Sequence, residues 1–427
     1  MKKAPGLKRV IISGVLVLTI LLSLAACKST PTIVTNTVTT TKSAVQIVTA
    51  LPFILPGGDA DLSSLPKDLL PAYSNFTSSV NKSVYANFKA KAPPWKIACI
   101  LPYTFNTFMQ QTKAAMQQEI DALTAQGLVS NYYFADGNFD LPTQIQAVQT
   151  AIEKKVDLII IEPLSPDGLN TVFKQAYDAG IVVVCKSNIS SSPYVINSAV
   201  NFTQACADQA GLLVAGLKGV GNVLVVNGIT GMSANTLCNE GAVGVLSLNP
   251  GIKIVGQVDG QWSDTVAQTA VTQWLATHTE KVDAVWQASY MFVGIINAFE
   301  QAGRPVPNCI SFFTPLQASI AYSTEHLSSG WTVAGSCSNP PDASLDGAVA
   351  IGLYTLMGYG PKYNTILQLA YPINNSNIAE WSKPEYKYDG TGAVAEPPAS
   401  KPFFGYDMLT NFFNQPITPL KTAFRSK

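Results

Sequence analysis

DLIIIEPLSPDGLNTVFKQAYDAGIVVVC, residues 157–185, holds two short apolar runs, DLIII (157–161) and IVVVC (181–185), on either side of a helix-length segment over 166–179. Both runs are β-branched and too short for helices, which is how buried strands read. Strand, helix, strand in that order is a βαβ unit, so the two strands are expected to lie parallel in one sheet.

The same alternation extends outward in both directions. IACIL (97–101) precedes a helix around 107–127, and NYYFA (131–135) precedes one over 141–154, opened by Pro142 near its first turn. NVLVV (222–226), IKIVGQV (252–258), DAVWQ (283–287), CISFF (309–313) and WTVAG (331–335) continue the scheme with helices between. This is too much chain for one sheet core, so two α/β lobes are expected. The tail beyond about 360 is rich in Pro and Asn and weakly patterned, and is expected to wrap the surface.

The N-terminus has a different character. Lys2, Lys3, Lys8 and Arg9 precede an apolar run from Val10 to Leu24, which is the layout of a secretory signal. Leu24-Ala25-Ala26-Cys27 follows and resembles a bacterial lipobox. That resemblance implies acylation of Cys27 and a lipid hold on the membrane. The alternative is an uncleaved apolar anchor. Either reading places the remaining chain outside the cytoplasm. A Thr-rich stretch over 28–50 reads as a tether, and 51–94 as a loop-rich leader.

The 27 basic and 27 acidic residues balance, and loss of the signal leaves a mildly acidic chain without basic runs. Nucleic acid is therefore excluded as a partner. Six cysteines follow Cys27 (Cys99, Cys185, Cys206, Cys238, Cys309 and Cys337), with no CxxC spacing, so no metal site is expected. Exported cysteines can pair, and Cys309–Cys337 is the expected bridge if one forms; buried thiols are the alternative for runs such as IACIL and VVVCK. His278 and His326 stand alone, and GITG (228–231) lacks both a Walker lysine and a wider glycine pattern. No arrangement for nucleophilic catalysis emerges, so neither an enzyme nor a cofactor is expected.

The order of motifs from 96 to about 360 resembles the type I periplasmic binding proteins of ABC importers, in their ribose/galactose-like sugar-binding branch. IACILPYTFNTFMQQTKAAMQQEIDAL (97–123), ADGNFDLPTQ through VVVCKSN (135–188), VDAVWQASYMFVGIINAFEQAG (282–303) and GWTVAGSCSNPPDASLDGAVAI (330–351) carry the likeness. It implies two Rossmann-like lobes with parallel sheets, joined by a three-crossover hinge near 200, 338 and 360, with the ligand between them. The expected division is a signal at 1–27, tether and leader at 28–94, one lobe from 95–202 plus 338–360, the other from 203–337, and a C-terminal extension over 361–427.

On that resemblance, Asn106 matches a sugar-hydroxyl contact, Phe108 a stacking aromatic, and Trp262 the second aromatic from the opposite lobe. Tyr103 and Phe105 flank them. Charged positions of the family pattern are replaced here: Ser187-Asn188 stands for Asp-Arg, Cys238 for an Arg, Ala288-Ser289 followed by Tyr290 for Asn-Asp, Phe313 or Thr314 for an Asp, and Ser338 beside Asn339 for a Gln. The implied cleft of Tyr103, Phe105, Asn106, Phe108, Ser187, Asn188, Trp262, Tyr290 and Ser338 is neutral and aromatic. Such walls suit a neutral ligand, sugar-like, less polar or larger, such as a glycoside, a cyclitol derivative or an aromatic compound. Asp136 and Asp264 are further carboxylate candidates, Asp264 alternatively capping its own helix. The expected partners are a small neutral solute, ABC permease subunits and the membrane through the lipid, with the protein itself a monomer. A receptor-coupled sensor is the competing reading.

Overall fold

The structure is a computed structural model that describes residues 36–37, 46–338, 340–390, 392–398, 400–401 and 403–421. The signal segment with Cys27, most of the tether, and Asn339 lie outside the described residues.

A two-residue antiparallel pairing of β1 (Asn36–Thr37) with β2 (Gln46–Ile47) comes first. The first lobe then alternates β3 (Trp95–Leu101), α1 (Thr107–Ala125), β4 (Val129–Asp136), α2 (Leu141–Glu153), β5 (Leu158–Ile161), α3 (Asn170–Asp178), β6 (Val182–Lys186) and β7 (Ile196–Val200). The stretch from 157 to 185 is the βαβ unit its pattern predicts: Leu158–Ile161 lies parallel to Val182–Cys185 in register. Helix starts carry their own signals. Asp140 accepts the Thr143 N–H at 2.9 Å ahead of α2, and Asn106 accepts the Met109 N–H at 2.9 Å ahead of α1.

The second lobe follows with α4 (Phe202–Gly216), β8 (Gly221–Asn227), α5 (Ser233–Ser247), β9 (Ile252–Asp259), α6 (Asp264–Thr277), β10 (Ala284–Gln287), α7 (Phe292–Gln301), β11 (Phe312–Phe313), α8 (Gln317–Glu325) and β12 (Ala334–Cys337). The chain returns as α9 (Pro341–Leu356), β13 (Thr365–Gln368), β14 (Tyr371–Asn374) and the short α10 (Tyr406–Leu409). Helix α9 packs on α1, β5, β6 and β7, so it belongs to the first lobe.

The first-lobe sheet runs β13-β7-β6-β5-β3-β4, all parallel. Order reverses at β3, and such a switch point opens a crevice beyond the strand ends. The second lobe pairs β10-β8-β9 and β11-β12-β14, joined by a parallel bridge between Val285 and Ile310. The lobes connect after β7, after β12, and between β13 and β14. That third passage falls at Leu369–Ala370, later than the position near 360 expected from sequence. Residues beyond 360 thus give one strand to each lobe. Their signal is weak because β14 is an antiparallel edge strand carrying Pro372, a residue that only an edge tolerates.

The leader is irregular but packed. Tyr73 is fully buried and donates from its hydroxyl to the Thr365 carbonyl at 3.0 Å, beside β13. Farther back, Val48 exchanges hydrogen bonds of 2.9 and 2.8 Å with the Asn249 amide at the end of α5. Gly211 of α4 admits this strap, since a Cβ there would lie 1.9 Å from the Thr49 oxygen. The end of the tether and the leader together therefore grip both lobes.

The expected Cys309–Cys337 bridge is corrected: the two cysteines are buried and do not pair with one another, and the other four described are buried as well. The parallel register of Phe312 with Gly335 and the bond from the Thr332 N–H to the Asn308 carbonyl at 2.8 Å set Cys309 about level with Thr332. Five residues of strand, roughly 16 Å, separate that level from Cys337, too far for a disulfide.

Candidate ligand-binding site

Most of the side chains that meet between the lobes stand at or just past strand ends. From the first lobe come Tyr103, Asn106 and Phe108 after β3, Glu162 after β5, and Ser187 and Asn188 after β6. From the second come Ala234 and Cys238 on α5, Trp262 after β9, Ser289 and Tyr290 after β10, and Phe313 and Thr314 at β11. Sharp turns are needed to aim them inward. Ser187 (φ 59°), Trp262 (53°), Ser289 (103°), Tyr290 (59°) and Thr314 (50°) all adopt the left-handed region. Each such residue costs about 1–3 kcal/mol, and clusters of them mark functional surfaces. Gly228 makes room for one: a Cβ there would lie 2.2 Å from the Trp262 ring.

One part of the expected cleft is corrected. It is not free of charge. Glu162 lines it, and its Oε2 lies 3.0 Å from Lys186 Nζ, with those side chains 7% and 1% exposed. Glu162 Oε1 accepts from Asn188 Nδ2 at 3.2 Å, and Lys186 also donates to Ser187 Oγ at 2.8 Å. The ammonium sits 5.4 Å from the centroid of the Phe108 ring. Burial, and next the Glu162 charge, push the Tyr103 phenol upward, so it remains a neutral hydroxyl. The wall is therefore polar and paired, with no net charge from this couple. Thr314 adds a buried hydroxyl with no hydrogen-bond partner among the described residues.

The lobes touch across this site. The Phe108 and Tyr290 rings are 5.1 Å apart at 56°. Asn188 Oδ1 accepts from the Ala234 N–H at 3.2 Å and from Ser233 Oγ at 3.3 Å. Helix α5 has no side-chain cap of its own, so a residue of the other lobe supplies it. Trp262 is held by its Nε1 donating to the Ala288 carbonyl at 3.0 Å. What remains is an inner cavity of ≈ 50 Å³ and an adjoining outer one of ≈ 250 Å³.

Of the residues expected here, Tyr103, Asn106, Phe108, Ser187, Asn188, Trp262 and Tyr290 line the inner cavity. Phe105 lines only the outer one: it is 62% exposed and stacks on Tyr103 at 4.3 Å. The Phe105 ring lies on the solvent side of this stack, which places the two rings at different depths. Ser338 lies outside both cavities, fully buried at the second lobe crossing, where its carbonyl accepts from Gln368 Nε2. Asp136, at the end of β4, accepts from Thr104 Oγ1 of the loop after β3 at 2.5 Å and from the Asn138 N–H at 2.8 Å. Asp264 does not cap α6, a role taken by Ser263; it accepts the Gly294 N–H of α7 at 2.6 Å and faces the outer cavity. Glu162, Ser289 and Phe202 were not expected as lining. Glu162 carried one readable signal, a lone carboxylate closing an apolar strand run.

Among the described residues no group of His, Cys, Asp and Glu could hold a metal, and no helix is long and apolar enough to cross a membrane. The family model "Periplasmic binding protein domain" matches residues 97–348, more than half of the chain. A xylitol-binding protein of Mycolicibacterium smegmatis is 25% identical over 258 residues, 57% of this chain and 72% of that protein. The crystal structure of an ABC transporter solute binding protein from Thermobispora bispora superposes with a TM-score of 0.61 at 26% identity, covering 69% of this chain and 90% of that one. One from Bacillus halodurans, solved with bound myo-inositol, gives 0.59 at 17% identity, covering 69% and 99%. With its two lobes, its interlobe cleft and the matched domain, this chain belongs to the periplasmic binding protein family, the extracytoplasmic, non-enzymatic solute-binding proteins of ABC importers.

Proposed function

We propose that the protein captures a small neutral polyol or sugar between its lobes, closes on it, and presents it to ABC permease subunits. The observation that carries this reading is the lining itself. Aromatic rings from both lobes, Phe108 on one side and Trp262 and Tyr290 on the other, stand around a polar set of Glu162, Asn188 and Thr314. A polyol has apolar C–H faces and hydroxyl edges. Rings cover the faces, while a carboxylate, an amide and a hydroxyl satisfy the edges. The xylitol-binding relative and the myo-inositol-bound neighbour support the same ligand class.

The cross-lobe contacts of Asn188 and Phe108 support a closing mechanism. Ligand that binds the closed arrangement better shifts the population toward it, and the closed form is what a permease recognises. The N-terminal residues support attachment through lipid on Cys27, with the Thr-rich stretch as tether.

A thermal-shift and titration panel of pentoses, hexoses, cyclitols and linear polyols tests this reading. A true ligand at 100 times its Kd adds about 2.7 kcal/mol of stability, and Trp262→Ala removes that shift. A panel with no response overturns the reading. The lipid is checked by the mass of the protein recovered from membranes, with Cys27→Ser expected to release it.

A further inference from the structure

The inner cavity, ≈ 50 Å³, is too small for a whole polyol, so a single polyol reaches into the outer one, whose ≈ 250 Å³ it does not fill. The outer cavity shares Asn106, Phe108, Trp262 and Tyr290 with the inner cavity, so the two are continuous along those side chains. Its remaining wall draws on three parts of the chain: Phe105 and Gln110 from the first lobe, Asp264 and Leu316 from the second, and Gly390 and Gly392 from the C-terminal extension.

Phe105 and Phe139 keep 62% and 48% of their surface in water. They are nevertheless fixed, Phe105 stacked on Tyr103 at 4.3 Å and Phe139 set edge-on to both rings. Ordered aromatic faces left open at the mouth of a cleft are a platform for a ligand. Opposite them, the tail is pinned to the second lobe. The Gln317 N–H donates to the Ala393 carbonyl at 2.8 Å, and the Ala395 N–H to the Pro315 carbonyl at 2.8 Å. Gly390 and Gly392 take φ of 71° and 66° there, and carry no side chain toward the opening. Bare backbone lets a ligand approach main-chain donors and acceptors closely.

We propose that this compartment is an outer subsite for a second ring, and that the ligand is a glycoside or similar two-unit polyol. Its first unit reaches from the inner cavity out between Phe108, Trp262 and Tyr290, and its second stacks on Phe105 and bonds to Gln110 and the backbone of the tail. The C-terminal extension is then part of the binding site. This inference rests on the cleft reading above.

The test is isothermal titration of the protein with myo-inositol, xylitol and L-arabinose, and with a galactosyl or xylosyl glycoside of each. At least one glycoside should bind roughly tenfold more tightly than its parent, the gain one good aromatic contact gives. Phe105→Ala and Gln110→Ala should each collapse that ratio toward one. A parent that binds as tightly as its glycoside, or better, overturns the outer subsite and leaves the inner one standing. A Phe105→Ala variant that weakens parent and glycoside alike overturns it too. If neither parents nor glycosides bind, both readings fall together.

Discussion

Lys186 Nζ lies 3.0 Å from Glu162 Oε2 behind the wall of the cleft, where neither side chain reaches bulk water. A pair so buried is costly to break and easy to replace. Removing one partner strands a charge, at about 3–5 kcal/mol, whereas exchanging both for apolar groups is near neutral or stabilising. Glu162→Gln should therefore lower stability by about that amount in urea unfolding. The joint exchange of Lys186→Met with Glu162→Leu should recover stability without recovering ligand affinity, because the carboxylate that faces the cavity is gone. Recovery of both would make the pair scaffolding alone.

Closure has its own residue. Asn188 Oδ1 caps α5 from the opposite lobe, through the Ala234 N–H at 3.2 Å. Opening the lobes exposes that helix end. A cap of this kind contributes about 0.5–2 kcal/mol, so Asn188→Ala should weaken ligand binding by about fivefold or more. The loss should appear in the off-rate, measured by stopped flow, and small-angle scattering of the empty variant should show a more open average. An unchanged off-rate would contradict the latch.

Acid should stabilise one part of the molecule. Asp208 of α4 is little exposed, and burial raises its carboxyl to about 6, partly offset by the Gln204 amide at 2.7 Å. Between the ordinary carboxylate pKa and about 6 the folded protein binds the extra proton. Stability from this group therefore falls as pH rises through that window and is fully present below it. The difference is on the order of 2–3 kcal/mol. Asp208→Asn should flatten the pH dependence of Tm between pH 4 and about 6. A variant that keeps the wild-type slope would assign it to other groups.

The thiols should be inert. All six described cysteines are buried, and burial pushes the Cys309 thiol up to about 12 and raises Cys99 and Cys185 as well. Thiolate is the reactive form. Iodoacetamide at neutral pH should leave these six unmodified until urea is added, and a reductant should not move Tm. Early labelling of Cys238, which borders the cavity, would indicate an opening wider than the structure has.

The βα alternation was readable because parallel strands buried on both faces are unbroken apolar runs, as in IVVVC (181–185). Strand β14 was not, since Pro372 and four-residue length erase its pattern. The leader was legible as irregular but not as packed: nothing local announces that Tyr73 and Tyr85 bury their hydroxyls against backbone carbonyls. In the site, large aromatics such as Trp262 at a strand end stand out in a sequence. Depth does not, so Phe105 and Tyr103 could not be told apart. Lys186 was hidden in its strand, because its burial depends on Glu162, a partner 24 positions away.

Thr314 separates what the protein needs to fold from what it needs to bind. Its hydroxyl is buried, faces the inner cavity, and has no partner among the described residues. An unsatisfied buried polar group costs about 1–3 kcal/mol. Valine has the same shape and β-branching, so it accepts the same strained backbone without that penalty. Thr314→Val should raise the stability of the empty protein by roughly 1 kcal/mol and weaken polyol binding by about fivefold to tenfold. The opposite signs are the test, read as the urea midpoint of the empty protein and the titrated Kd of the same preparation. Loss of stability would mean that the hydroxyl is satisfied within the fold. Gain of stability with unchanged affinity would remove Thr314 from the ligand's surroundings.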